Sequence, residues 1–541
     1  MHSRSRGWIF FVVLLAGVLA FTGLWYLVPQ ETEEAEPDFG GDYIEGIAGV
    51  PARINPLFAS ENTVDATLIS LVYAGLTRLN ENGVPFPDLA QTWTVSPDGT
   101  LYTFTLRPGL LWQDGAPLTA EDIVFTYELS RSPDIHNGPK LPDAVTTATF
   151  EAASSTTVTV TLTEPFSPLP AYLTLGILPA HLLRDTPPGS LYDSPFNQRP
   201  VGSGAYRIQT LALNRAELVA NTAYHFEQAF IERLDLRFYP DDGALFEALE
   251  RGEVNAALFE SGLGPSDILT IQQHDELRMS TLDTGEITHV YLNLDVPLFQ
   301  DRSLRQALLY GLDRDALIRD VLRGQASRAD SPITPSSWAY APQLTRYGVD
   351  VNLANLLLDE AGWLMGQDGI RRKDGVPLAF TLTTGPDPVR IEVAHRVVEA
   401  WNALGASVTV DSSGLTELVR DIIEPRSYQA LLFVDAAHAD PDPYDAWHSS
   451  EAGGQGGNLA QFSDPRVDEI LSEARSAPNT RRHELYETFQ EIFAQELPSI
   501  PLYVSRAVYV QDVEVSGVRV SQLGTPGDRF WQVQEWFLET R

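Results

Sequence analysis

The sequence predicts a mixed α/β fold, and three observations carry that prediction. Strand-like and helix-like runs alternate through the body, no segment repeats with a fixed period, and no Pro/Ser-rich linker divides it. At 541 residues the chain exceeds one ordinary core, so several domains or one large fold with lobes are expected. Hydrophobic residues at 43% and charged residues at 20% are globular proportions. The formal charge of −36 repels phosphate backbones and anionic lipid surfaces, which excludes sequence-wide nucleic-acid binding. Cysteine is absent, and with it go disulfides, thiolate metal sites, cysteine nucleophiles and a cysteine-linked lipid anchor.

The elements follow in order. Arg4 and Arg6 precede an uncharged apolar stretch, residues 8–28, long enough to span a hydrocarbon core, with Trp8, Trp25 and Tyr26 at its ends. An uncleaved anchor behind a short cytoplasmic tail (1–7) is preferred to a cleaved signal peptide, since no A-x-A-like site follows. The basic side precedes the span and four glutamates follow it, so the body is expected outside the cytoplasm, on an acidic tether at 29–41.

Residues 101–107 alternate with period two after the Pro97-Asp98-Gly99 turn, the second strand of a hairpin. Thr119 is a helix N-cap with Asp122 as its capping-box partner. Residues 156–162 and 205–208 read as strands, the latter after a tight passage at Gly202-Ser203-Gly204. Residues 289–294 are a strand; 303–323 form one helix ending at Gly324. Helices end at Gly362 and Gly405, strands cover 406–410 and 430–434, and Asp464-Pro465 opens another helix with Pro in its first turn. A helix at 481–495 and a strand at 497–503 close the series.

Enzyme signatures are missing: no P-loop, H-E-x-x-H, G-x-S-x-G elbow or dinucleotide fingerprint. Gly202-Ser203-Gly204 reads as a glycine-permitted turn, not an exposed nucleophile. His438, Asp440, Asp442 and His448 form the one dense group of metal-capable side chains; helix capping is preferred, then ligand contact, then metal. No cofactor and no metal are expected. Trp93 and Trp112 could stack on a ligand, with core packing preferred.

The residues so collected resemble one family, the extracellular solute-binding proteins of ABC transporters, family 5. The resemblance runs over about 450 residues. It is carried by Ile54-Asn-Pro-Leu57, Leu71-Val-Tyr-Ala-Gly-Leu76, Ser96-Pro-Asp-Gly99, residues 112–125, Val201-Gly-Ser-Gly-Ala-Tyr206, Gly311-Leu-Asp-Arg314, Leu357-Leu-Asp-Glu-Ala-Gly-Trp363 and Asp440-Pro-Asp-Pro-Tyr444. It implies a two-lobed periplasmic-binding-protein-like fold (type II, cluster C) with a small domain inserted in the first lobe. The boundaries expected are 42–85, 199–287 and 505–541 for lobe I, 86–198 for the insertion and 288–504 for lobe II.

The implied function is binding, not catalysis. A peptide, foremost an oligopeptide, enters the cleft, and the closed receptor docks on ABC permease subunits and, through them, serves their ATPase subunits; a monomer is expected. The resemblance places Ala437 where peptide-binding relatives carry an amine-holding Asp, leaving Asp435 and Asp440 to substitute. Thr384 stands where a carboxylate-holding Arg is expected, with Arg390 nearby. Ser60, Glu61, Asn62 and Thr63 match a ligand-facing loop, and His438 and Asp442 complete the candidate ligand-binding set. An oligosaccharide or a metal chelate in the same fold is the first alternative, then a ligand sensor, then an extracellular hydrolase.

Overall fold

The strand β1 (Asp42–Ala48) starts the first lobe, in a computed structural model that describes residues 37, 39–136, 138–436, 439–520 and 522–539. The expected tail, the span at 8–28 and the tether through residue 36 lie outside these residues. Among the described residues no helix is long and apolar enough to cross a membrane.

Helix α1 (Thr63–Val72) follows β1. The chain then builds an antiparallel four-stranded sheet of its own from β2 (Ala90–Val95), β3 (Leu101–Leu106), β4 (Thr149–Ser154) and β5 (Thr157–Thr161). Its order is β2-β3-β5-β4. Period-two alternation turns Tyr102, Phe104 and Leu106 inward, and α2 (Ala120–Ser130) covers that face. The Thr119–Asp122 capping box starts α2, with Thr119 N donating to Asp122 Oδ2 at 2.8 Å. Trp112 is fully buried in this core and Trp93 packs beside Phe104, so both indoles serve packing.

Strands β6 (Tyr206–Ala212), β7 (Arg215–Ala220), β8 (Arg233–Tyr239) and β9 (Ala256–Phe259) return to the first lobe. A Cβ on Gly202 or Gly204 would collide with the carbonyls of Val72 and Leu71, which explains the glycines of that passage. Next comes β10 (Leu277–Leu292), sixteen residues long, followed by α3 (Arg302–Tyr310), α4 (Arg314–Asp320), α5 (Val351–Glu360), β11 (Ala379–Thr384), α6 (Pro388–Ala403), β12 (Ser407–Ser412) and β13 (Ala430–Asp435). Helices α7 (Pro465–Ser476) and α8 (Asn479–Glu496) precede β14 (Ser499–Asp512).

One eleven-stranded sheet runs through both lobes in the order β12-β11-β13-β10-β14-β9-β1-β8-β7-β6, with Ala326–Arg328 pairing on β14. Each side holds parallel pairs, β1 with β8 and β9, β11 with β12 and β13. The antiparallel pair β10/β14 joins the two sides, with register shifts between Asp283 and Ile287 and between Thr288 and His289. The fold is two-lobed, and the strand pair crosses between lobes at its irregular point. Separate cores flank the crossing: Tyr43, Leu68, Leu236 and Trp536 on one side, Leu304, Leu308, Phe380 and Trp401 on the other. Each such buried side chain contributes roughly 1.5–3 kcal/mol relative to exposure.

Two expectations change. The single helix expected at 303–323 breaks at Gly311 into α3 and α4, because Asp313 caps the second piece through Ala316 N (2.8 Å). Buried Arg314 then turns inward to Asp330 at 2.8 Å and Pro501 O at 2.8 Å. The strand expected at 289–294 is the end of β10. Its first half is partly exposed and polar, so hydrophobicity alone concealed it.

Candidate functional site

Between the lobes lie three adjoining compartments. The first, about 100 Å³, is bordered by Asp435, Asp442, Trp338 and Trp447 of the second lobe, by Ile287 of the crossing strand β10, and by Phe166 and Tyr172 of the inserted domain. The second, about 680 Å³, is bordered by Glu260, Glu286 and Arg506 and by Asp387, Arg390 and Tyr503 of the second lobe. The third, about 630 Å³, lies against α1, with Leu57, Ile69, Tyr73 and Trp531 in its wall. They share walls: Leu523 and Gly524 between first and second, Tyr172, Ala436 and Ala439 between first and third. Successive residues of a strand point to opposite faces, and β10 uses this directly. Gly285 and Ile287 border the first compartment, while Thr284, Glu286 and Thr288 border the second.

The segment after β13 shapes the first compartment. Asp440 is buried and forms a two-pronged ion pair with Arg482 of α8, one prong at 3.0 Å from Nη1. Its carboxylate is therefore committed to the second lobe and is not presented to the cleft. Asp442 accepts from Arg475 Nε at 2.7 Å, and Arg475 also reaches Asp445 at 2.7 Å and lies 3.7 Å over the Tyr444 ring. Burial pushes the Asp442 carboxyl above its usual range, with Arg475 pulling it back. The Ser167 amide donates to the Arg475 carbonyl at 2.6 Å, so the inserted domain touches the second lobe above this compartment. Burial, then Asp440, Asp442 and Asp445, raise the Tyr172 hydroxyl's pKa far above its ordinary value.

Asp435 ends β13 and borders the first compartment. Arg390, near the start of α6, borders the second, 3.8 Å from Asp387. Burial raises the Glu286 carboxyl there, and Arg390 opposes the shift. Thr384 is buried and its hydroxyl donates to Leu432 O at 3.2 Å, so it is held within the sheet, away from the cleft. Asn62 caps α1, accepting from Asp65 N at 2.8 Å, and Thr63 donates to Glu260 at 2.6 Å. Ser60 and Glu61 end the short helix Pro56–Glu61, and their side chains lie outside the described atoms. His438 lies outside the described residues. The structure thus brings Asp435 and Asp442 together, puts Arg390 in the neighbouring compartment, and withdraws Thr384 and Asp440.

Sequence reasoning missed Arg475 and Arg482, the partners that fix the acidic turn. The signal for Arg482 was present: it stands in the apolar stripe of α8 with Tyr486, Phe489 and Phe493, at helical spacing. Among the described residues no group of three or more His, Cys, Asp or Glu side chains could hold a metal. His448 is instead stacked on Tyr444, its Nδ1 2.8 Å from Ser450 Oγ.

Comparison with known proteins agrees with this architecture. Residues 84–457 match the model of the bacterial extracellular solute-binding proteins, family 5 Middle. The oligopeptide-binding protein AppA of Bacillus subtilis is 26% identical over 513 residues, 93% of this chain and 92% of that protein. The solved structure of that AppA, in complex with a nonapeptide, aligns with TM-score 0.69 over 93% of this chain and all of that one. NikZ from Campylobacter jejuni in complex with Ni(L-His) aligns with TM-score 0.69 at 27% identity, covering 92% of this chain and 99% of that one. HbpA2 from Haemophilus parasuis shares the fold, with TM-score 0.80 at 22% identity. The chain belongs to the family 5 extracellular solute-binding proteins.

Proposed function

We propose that this family 5 solute-binding protein is the receptor of an ABC importer, taking an oligopeptide into its cleft and presenting it to a membrane permease. The observation that carries the reading is the β10/β14 pair. Two strands connect the lobes at a point of broken register, and cleft residues of both lobes flank that point. A ligand touching both walls favours the closed arrangement by its differential affinity for closed over open. No catalytic role is proposed for any residue.

Likeness to the oligopeptide-binding AppA supports a peptide. The cleft also offers both signs of charge, Asp435 and Glu286 toward an α-amine, Arg390 toward a carboxylate. We assign Ser60, Glu61, Asn62 and Thr63 to the rim on the first lobe, and retain His438 and Asp442 as ligand-facing candidates. Lobe I is taken as 42–85, 199–287 and 505–541, the insertion as 86–198 and lobe II as 288–504. The span at 8–28 would hold a monomer at the membrane, raising its concentration near the permease. A metal chelate is the second reading, favoured by the likeness to NikZ.

Mass spectrometry of solute co-purifying with the protein, with thermal-shift titrations of peptides, oligosaccharides and nickel–histidine, tests the reading. Peptides are expected to raise the melting temperature. If peptides of every length leave it unchanged while a sugar or the nickel complex raises it, the peptide reading is wrong.

A further inference from the structure

The third compartment has a chemical bias that the other two lack. Its wall is formed by Leu57, Ile69, Tyr73, Leu175, Tyr224 and Trp531. Polar groups do reach it, Lys140, Thr174 and Gln534 among them, and several are already committed to the protein. Thr77 donates to Pro170 O at 2.6 Å, Ser70 to Thr67 O at 2.8 Å and the Tyr73 hydroxyl to Ile54 O at 3.1 Å. Asp88 is paired with buried His225 at 2.7 Å, and Asp528 accepts from the Gly524 and Thr525 amides at 2.8 and 2.7 Å. Arg78 donates to Trp531 O at 2.9 Å and lies 4.3 Å over the Phe226 ring.

A sugar or a cationic side chain placed here would lose water and find few partners, which is unfavourable. An apolar group would lose nothing and would gain burial. The volume of about 630 Å³ is ample for a large side chain and falls in the ~300–1,000 Å³ range of small-molecule sites. The compartment adjoins the one bordered by Asp435 along Tyr172, Ala436 and Ala439, so a chain lying past the end of β13 runs alongside it.

We propose that this compartment seats a bulky apolar side chain of the bound peptide and makes the receptor selective for hydrophobic oligopeptides. The proposal rests on the peptide reading above and names the class of peptide.

Calorimetric titration of the full chain with tetra-alanine, and with tetrapeptides in which each position in turn is Phe, Leu or Asp, tests it. Phe or Leu at one position is expected to tighten binding roughly ten- to hundred-fold, the effect of burying one such side chain, while Asp there does not. Thr174→Trp fills the compartment from its wall and should erase that gain, leaving tetra-alanine within about two-fold of its original affinity. Leu175→Asp should do the same by charge instead of bulk, and melting temperatures establish that each variant is folded. Equal affinity for the alanine, Phe and Asp peptides overturns the proposal and leaves the peptide reading standing. So does a Phe preference that survives in both folded variants. Binding of oligosaccharide with no peptide bound at all overturns both.

Discussion

Two buried arginine–carboxylate pairs invite comparison, one in each lobe. Glu45 of β1 meets Arg529 at 2.7 Å with neither side chain exposed, and it also accepts from the Tyr43 and Tyr509 hydroxyls at 2.9 and 3.1 Å. Asp440 meets Arg482 with equally little exposure. The chemistry is the same, but the surroundings differ. Glu45 borders none of the three compartments and ties the C-terminal segment to the central strands of the first lobe. Asp440 sits between residues that do border the cleft, Ala439 on one side and Pro441 and Asp442 on the other. One pair holds a core together, and the other fixes the turn that borders the first compartment. Burial of a charge therefore does not identify its role; what its neighbours touch does.

The contrast is sharpest in stability. Glu45→Ala leaves Arg529 only Pro526 O and Thr67 Oγ1 and removes the carboxylate that accepts from two tyrosine hydroxyls, so it should cost toward the upper end of the ~3–5 kcal/mol seen when a buried pair loses one partner. A urea titration should show a large drop in midpoint, while folded protein keeps its ligand affinity. Asp440→Ala should fall near the lower end of that ~3–5 kcal/mol range, because Arg482 keeps Tyr486 OH at 2.9 Å and Asn479 at 3.3 Å. Unlike the Glu45 variant, it should also weaken ligand binding, since the turn loses its anchor. Removing Arg482 as well should recover part of the stability but none of the affinity. Equal binding loss in both lobes' variants would dissolve the distinction.

A third test lies where the lobes join. His289 is fully buried beside the shifted register of β10, its Nδ1 2.9 Å from Ser499 Oγ. Burial lowers its pKa to about 4 from an ordinary 6.5, against a small opposing pull from Asp435. The unfolded chain therefore binds a proton that the folded chain refuses between these values. Its contribution is fully present above pH 6.5 and declines as pH falls toward 4, by about 3 kcal/mol in all. Unfolding curves of wild type and His289→Gln should converge through this window; parallel curves would mean that the imidazole titrates normally.

Much of the fold was legible because the local rules and the tertiary packing agree. The alternation of Leu101 to Leu106, the Thr119–Asp122 cap and the glycines after α5 and α6 each specify one local geometry, and the structure uses it. The crossing strands were only half legible. A strand passing between two cores changes its burial along its length, so Leu277 to Glu286 carry no single period. The candidate site was legible as residue types without their pairings. Asp440 and Asp442 were visible in the D-P-D-P turn, but their partners stand on α7 and α8, in contacts that only the folded chain creates. Spacing identifies acidic residues; it does not reveal which of them are already neutralised.

Arg390 supplies the smallest stability effect and for that reason the cleanest binding test. Its guanidinium is partly exposed and stands 3.8 Å from a partly exposed Asp387, a geometry whose loss costs within about 0.5 kcal/mol. Arg390→Ala should therefore leave the urea midpoint almost unmoved. If the second compartment receives the carboxylate end of a peptide, the same substitution should weaken binding roughly ten-fold or more, the loss of one charge-assisted contact. The effect should shrink for peptides amidated at the C-terminus, which no longer carry that charge. Unchanged affinity in Arg390→Ala, with folding intact, would confine recognition to the first and third compartments and leave the second as solvent-filled space behind the hinge.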